Sequence, residues 1–256
     1  MRKNVGIVIG SALIVLGGFW FYQQAVTPKN VPVETNKAES NVTTKNNASK
    51  SKDGLPADAT TDNPALVLVN KKHPLKAEID FEKAEMQGVT YNALMKQSLT
   101  DFVNAATEAG YPVTIVSAYR SIAYQQTVID TQVAQYLAQG DSEDEAMEKT
   151  LEYIQTPGAS EHHTGLGVDI MANEYWDVHH ALNPEADETK AQQWLIKHAP
   201  DYGFVLRYPK TAEGRESTGI AYESWHFRYV GVENAQYMAK NNLTLEQYWD
   251  LMNQNK

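Results

Sequence analysis

The chain has 256 residues, no cysteine, and 32 acidic side chains against 22 basic ones, for a formal net charge of −10 at pH 7. No disulfide framework and no cysteine-linked lipid anchor are available to it, and an acidic surface repels nucleic acid, which excludes a nucleic-acid-binding function. The charge is uneven: residues 1–55 hold seven basic and three acidic groups, a net of +4, which leaves −14 for residues 56–256.

Arg2 and Lys3 precede an uncharged apolar run of eighteen residues, 5–22, that ends in Phe19, Trp20, Phe21 and Tyr22. A helix needs about 20 apolar residues to span the hydrocarbon core, whereas the core of a signal peptide is about 7–15. The run therefore predicts an uncleaved membrane anchor. Residues 1–4 become a cytoplasmic stub, and the aromatic end sits at the outer interface. Cleavage after Ala25 is the alternative and would give a secreted protein, although Tyr22-Gln23-Gln24-Ala25 lacks the small-residue pattern of a cleavage site. Residues 23–63 are rich in Asn, Thr, Lys, Ser, Pro and Ala. Such a segment buries too little apolar surface to offset its ordering entropy, so it reads as a disordered tether.

The remaining residues, 64–256, suit one domain with one core. Residues 91–109 read as an amphipathic helix stopped by Gly110, and 113–116 as a short buried strand that delivers Tyr119 and Arg120 at its end. A second helix follows over 121–137. Asp141, Ser142, Glu143, Asp144 and Glu145 then give the capped, acid-rich start of a third helix running to Ile154. A calcium loop is the competing reading of that acidic run, but its spacing and its glycine are missing. After a loop at 156–159, residues 166–170 read as a strand, 189–198 as a helix, 204–208 and 225–230 as strands, and 232–241 and 245–252 as helices. Helices and strands alternate without a regular βαβ repeat, so the fold class is α+β.

Two stretches concentrate the chemistry: SEHHTGLGVDI at 160–170 and ESWH at 223–226. The strand at 166–170 carries one charged residue, Asp169, and a carboxylate in a half-buried strand requires a partner or a metal. With His226 and one imidazole from His162 or His163, it completes the three-ligand set of a catalytic zinc. The fourth position of such a site is left to water, whose pKa falls to about 7. Spacing alone does not choose between His162 and His163. Glu223, close to His226 in sequence, suits the base that takes the proton from water. Residues 225–230 are aromatic and β-branched and read as a strand, on which positions i and i+3 face opposite ways. A turn at Glu223-Ser224 is therefore expected to bring the carboxylate round. His73, His179, His180 and His198 are expected to be surface or hydrogen-bonded residues.

SAYRSIAYQ at 117–125, SEHHTGLGVDI at 160–170 and ESWHFRYVG at 223–231 together resemble the VanY-like and LdcB-like zinc D,D- or L,D-carboxypeptidases that trim peptidoglycan stem peptides. Order and spacing match, and the similarity covers residues 65–255. The resemblance implies an α+β fold in which a small antiparallel sheet is surrounded by helices, Hedgehog/DD-peptidase-like, in a single catalytic domain. It also implies a Zn2+ cofactor held by His162, Asp169 and His226, with Glu223 as the catalytic base. Arg120 matches the arginine that binds the substrate's carboxylate or the developing oxyanion through two parallel donors. Gln125 and Ser160 match polar residues that hold the C-terminal end of the peptide. Ala118, Gly167 and Ser224 stand where relatives often carry glycine, alanine and proline, and none of these replaces a ligand. His163, commonly glutamine in relatives, is expected to face solvent, with a hydrogen-bonding role behind the site as the alternative.

The function implied is removal of the terminal D-Ala from peptidoglycan stem peptides, with Glu223 activating a zinc-bound water. An L,D-carboxypeptidase acting on tetrapeptide stems is the alternative, and a cell-wall endopeptidase a weaker one. Arg120 favours a substrate with a free terminal carboxylate and hence exopeptidase action. The enzyme is expected to be a monomer, held at the cell membrane with its catalytic domain outside.

Overall fold

The computed structural model describes residues 54–254. The expected anchor at 5–22 lies outside them, and no helix among the described residues is long and apolar enough to cross a membrane. The ordered fold begins ahead of residue 64. Leu55 is buried and packs with Val205, Val230 and Met238, and Asn234 Nδ2 donates to both carboxylate oxygens of Asp58 at 3.1 Å. The last stretch assigned to the tether is therefore part of the core.

The helix expected over 91–109 starts late because a hairpin precedes it. Strands β1 (Lys83–Met86) and β2 (Val89–Asn92) pair antiparallel. They are joined by Gln87 and Gly88 at φ 51° and 78°, and two successive positive φ values give the turn whose twist matches the strands. Val89 and Tyr91 are buried between less buried neighbours, a strand's period of two that runs into the expected start of the helix. Asn92 then caps a 3-10 turn (Ala93–Met95) through its side chain, and α1 runs over Lys96–Glu108.

The main sheet has four antiparallel strands, β3 (Val113–Ser117), β4 (Gly167–Ala172), β5 (Phe204–Leu206) and β6 (His226–Tyr229), in the order β3-β4-β6-β5. Every residue of β4 is buried, which explains its continuous apolar run. On one face, Val168 and Ile170 pack with Leu99 and Phe102 of α1, with Leu195 of α5 (Lys190–His198) and with Phe204 and Phe227. Phe102 stacks on Phe204 at 5.5 Å and on Tyr202 at 5.4 Å. Burying each such ring stabilises the fold by roughly 1.5–3 kcal/mol. Alternation along β4 turns Asp169 and Met171 to the opposite face, where Met171 packs with Val116, Tyr175 and Trp225.

Helix α2 (Ile122–Ala138) begins at Ser121, whose hydroxyl accepts from Tyr124 N. Helix α3 (Glu143–Tyr153) begins in a capping box made by Ser142 and Glu145, so the acidic run is a helix start. Two short helices were not legible in the sequence: α4 (Asn173–His179) and α6 (Ala212–Thr218). Helices α7 (Val232–Lys240) and α8 (Leu245–Gln254) close the chain, burying Met238, Leu245, Tyr248 and Met252 in a second cluster with Leu55 and Leu66.

Candidate metal centre

Asp169 and His226 are directly paired across β4 and β6, at the middle of the sheet. His162 comes from a 3-10 turn (Glu161–Thr164) that ends at Gly165, φ 65°. A Cβ at Gly165 would stand 2.7 Å from the Phe81 ring and 2.9 Å from Asn92 N, so the turn needs glycine on both counts. The turn is tied to the end of β3: Arg120 N donates to His162 O at 3.1 Å, and His162 Nδ1 donates to Ala118 O at 2.5 Å. Because a carbonyl only accepts, Nδ1 carries the hydrogen and Nε2 is left with a lone pair. That Nε2 lies 3.4 Å from Asp169 Oδ2. His226 is set the other way round. Its Nε2 donates to Glu161 Oε1 at 2.9 Å, and its Nδ1 lies 3.2 Å from Asp169 Oδ1 and 3.3 Å from Glu223 Oε2.

His162, Asp169 and His226 offer three ligand atoms within 4.8 Å of one another, all buried. His162 Nε2 and His226 Nδ1 each stand within 3.4 Å of Asp169, but against different oxygens, Oδ2 for His162 and Oδ1 for His226; zinc bonds of about 2.0–2.2 Å in tetrahedral geometry would draw the three ligand atoms to about 3.3–3.6 Å apart. Asp169 Oδ1 is buried without a hydrogen-bond partner, an orphaned acceptor of the kind a cation satisfies. The electrostatics of the two histidines differ. Burial, helped by Arg120, lowers the His162 pKa to about 4, so it is neutral, the form that binds metal. Burial would raise the Asp169 carboxyl, but its contacts with His162 and His226 hold it well below the usual range. Burial works against charge on His226 as well, yet the surrounding carboxylates of Asp169, Glu161 and Glu223 keep its pKa well above the ordinary value in the metal-free protein, so a metal binding at Nδ1 displaces a proton.

Glu223 reaches this cluster by the expected turn. Glu223 N donates to Tyr208 O, Ile170 N donates to Trp225 O, and Ser224 Oγ donates to Asn183 O at 3.2 Å. Burial raises the Glu223 pKa to about 7, outweighing the opposing contact with His226. Arg120 lies across the cleft. Its NH2 is 3.6 Å from Asp169 Oδ2, its NH1 donates to Gln125 Oε1 at 3.2 Å, and its Nε is buried without a partner. Gln125 is braced in turn, donating to Gln155 O at 2.7 Å. Ser160, Tyr153, Tyr208 and Trp225 also line the pocket.

His163 does not face solvent. It is fully buried, with Nδ1 donating to Arg120 O at 2.8 Å and Nε2 accepting from Gly158 N at 3.1 Å. Both ring nitrogens are used, so it is not a ligand; it fixes the backbone of Arg120. His73 bonds Asn70, His179 stacks on Tyr175 and His198 on Trp194.

Sequence reasoning missed three groups. Glu161 is buried beside His226, and Arg207 and Arg228 hold its carboxyl well below the usual range against the opposing effect of burial. Arg228 is a buried charge within β6 and Arg207 one directly after the apolar β5, the same signal that singled out Asp169. Gln192 of α5, fully buried, accepts from Ala172 N at 2.9 Å and donates to Ile170 O at 3.1 Å and to Ser224 O at 2.8 Å. It clamps the turn that carries Glu223 to β4. Gln192→Leu leaves those backbone groups unpaired, at roughly 1–3 kcal/mol for each buried group. Urea unfolding is expected to show a loss of about 3 kcal/mol, with kcat falling more than KM rises.

A small antiparallel sheet with two histidines and an aspartate converging on its middle strands, and a buried glutamate that stands beside them, defines the class of zinc peptidases. The family model for VanY, D-alanyl-D-alanine carboxypeptidase, matches residues 88–232, and the chain belongs to this family. It is 34% identical over 186 residues to a D-alanyl-D-alanine carboxypeptidase of Enterococcus faecalis (strain ATCC 700802 / V583), an alignment that takes in 72% of this chain and 65% of that protein, just under two thirds of its length. Among solved structures it resembles a vancomycin-resistance D,D-pentapeptidase VanY in complex with Zn(II), with a TM-score of 0.63, 33% identity, and coverage of 72% of this chain and 98% of that one. It also resembles the LdcB LD-carboxypeptidase, with a TM-score of 0.58 and 31% identity over 78% of this chain and 92% of that one.

Proposed function

We propose that the chain is a zinc-dependent D-alanyl-D-alanine carboxypeptidase that removes the terminal D-Ala from peptidoglycan stem peptides. The observation that carries this reading is Arg120, whose guanidinium lines the same pocket as the ligand cluster and Glu223. His162 Nε2, a carboxylate oxygen of Asp169 and His226 Nδ1 would hold the metal. When bound, zinc supplies Lewis acidity, lowering the pKa of a water to about 7 and polarising the scissile carbonyl. Glu223, buried and not needed as a ligand, takes the proton of the attacking water and delivers it to the departing amine as the C–N bond breaks. Arg120 offers two parallel N–H donors to the terminal carboxylate of the substrate, and Gln125 fixes the plane of that fork. Ser160, on the cleft wall, contributes a hydroxyl to the same end of the peptide.

The likeness to LdcB supports a second reading, an L,D-carboxypeptidase acting on tetrapeptide stems. Both readings require a free carboxylate at the end of the substrate. The apolar run at 5–22 supports anchoring of the domain at the outer face of the cell membrane. Arg120→Lys keeps the charge but not the planar fork. It is expected to lower kcat/KM strongly on a free-acid pentapeptide while zinc content stays unchanged. Comparing wild type on that peptide and on its C-terminal amide tests the exopeptidase reading. Equal cleavage of acid and amide would put an endopeptidase in its place.

A further inference from the structure

Behind the metal ligands lies a set of buried ions that the chemistry above does not use. Glu161 is fully buried and employs both carboxylate oxygens. Its Oε1 accepts from His226 Nε2 at 2.9 Å, while its Oε2 accepts from Arg207 Nε at 2.7 Å and from Arg228 NH1 at 3.2 Å. Arg228 is pinned on its far side, NH2 donating to Ala65 O and Val67 O, both at 2.9 Å. Arg207 turns its other two nitrogens to Glu246 of α8 in a parallel pair, NH1 to Oε2 at 2.8 Å and NH2 to Oε1 at 2.6 Å. Asn70 Nδ2 donates to Glu246 Oε1 at 3.0 Å. Burying ions is costly, and apolar replacements of similar volume are often as stable or more so, so stability is a poor reason for this arrangement.

Its geometry gives a better one. A carboxylate only accepts, so Glu161 requires the hydrogen of neutral His226 to sit on Nε2 and leaves Nδ1 with the lone pair that faces Asp169. Without that partner the ring can rotate about its χ2 torsion or change tautomer. We propose that Glu161 is a positioning residue that sets the orientation and tautomer of His226 for the metal, and that the Arg207–Glu246 pair extends the same constraint to α8. The C-terminal helix, about eighty-five residues beyond Glu161 in the chain, is thereby part of the metal centre. This inference rests on the zinc reading above.

The test uses the full chain, with zinc affinity read by competition against a chromogenic chelator and ligand geometry read from the visible absorption of the Co2+-substituted protein. Wild type is expected to bind one zinc, and a wild type that binds none overturns the zinc reading itself. Glu161→Gln is expected to bind zinc 10–100-fold more weakly, the usual scale for such outer partners, with an altered Co2+ spectrum. Glu246→Gln leaves Glu161 and His226 in place and is expected to weaken zinc in the same direction by a smaller factor. Unchanged zinc affinity and an unchanged Co2+ spectrum alongside a lowered Tm would make the cluster purely structural and overturn the proposal. If Glu161→Gln does not fold, Glu246→Gln decides by the same criterion.

Discussion

Glu223→Gln is expected to keep its zinc and its fold and to lose 10²–10⁴-fold in kcat, the usual contribution of a positioned proton-transfer group. The substitution is nearly isosteric, so the turn at 223–224 and its clamp from Gln192 stay in place, and only the capacity to take a proton is removed. Zinc content by metal analysis and kcat on a pentapeptide stem separate the roles. Loss of metal in this variant would make Glu223 a ligand. A pH profile adds the sign. Burial raises the Glu223 pKa to about 7 in the metal-free protein, and a cation beside it favours the carboxylate and brings that value down. The base form is the active one, so wild-type activity falls as pH drops through this titration, on the acid side of 7. The residual activity of Glu223→Gln should lack that acid limb.

His162→Ala is expected to lose most of its zinc and nearly all activity, while His163→Ala keeps its zinc. The two imidazoles are neighbours in sequence but have different surroundings. His162 spends Nδ1 on Ala118 O and turns Nε2 to Asp169, whereas His163 spends both nitrogens on backbone, at Arg120 O and Gly158 N. His163→Ala should therefore raise KM and lower stability, because it frees the backbone of Arg120 and leaves a buried amide unpaired. Normal zinc and full turnover in His162→Ala would overturn the ligand assignment.

The contrast between these two histidines shows where sequence stops being informative. Local physics made the helix starts at Ser121 and Ser142, the apolar strand around Asp169 and the turn before His226 readable, because each depends on residues a few positions apart. His163 was not readable. Its partners, Arg120 and Gly158, come from two other segments, and only the packed loop takes an imidazole out of water. The β1–β2 hairpin was hidden because Tyr91 also suits the start of the helical stripe that follows it, and long-range packing instead pairs it with β1. Leu55 was lost in a polar composition that a single well-placed apolar side chain overrides. Glu161 is the larger omission. Arg228 stands in the apolar run of β6 and Arg207 directly after that of β5, and a buried charge demands a partner. Which carboxylate pairs with them is set by the sheet order β3-β4-β6-β5, which brings Glu161 to residues 46 and 67 positions away.

The decisive measurement is mass spectrometry of products after the purified protein is incubated with free-acid tetrapeptide and pentapeptide stems, with zinc added and after chelation. Release of a single D-Ala from the pentapeptide, dependent on zinc and lost in Glu223→Gln, is the expected result. Release from the tetrapeptide alone would move the L,D-carboxypeptidase reading ahead. Release that persists undiminished after verified removal of the metal, or no release from either stem by zinc-replete protein, would contradict the assignment of a zinc carboxypeptidase.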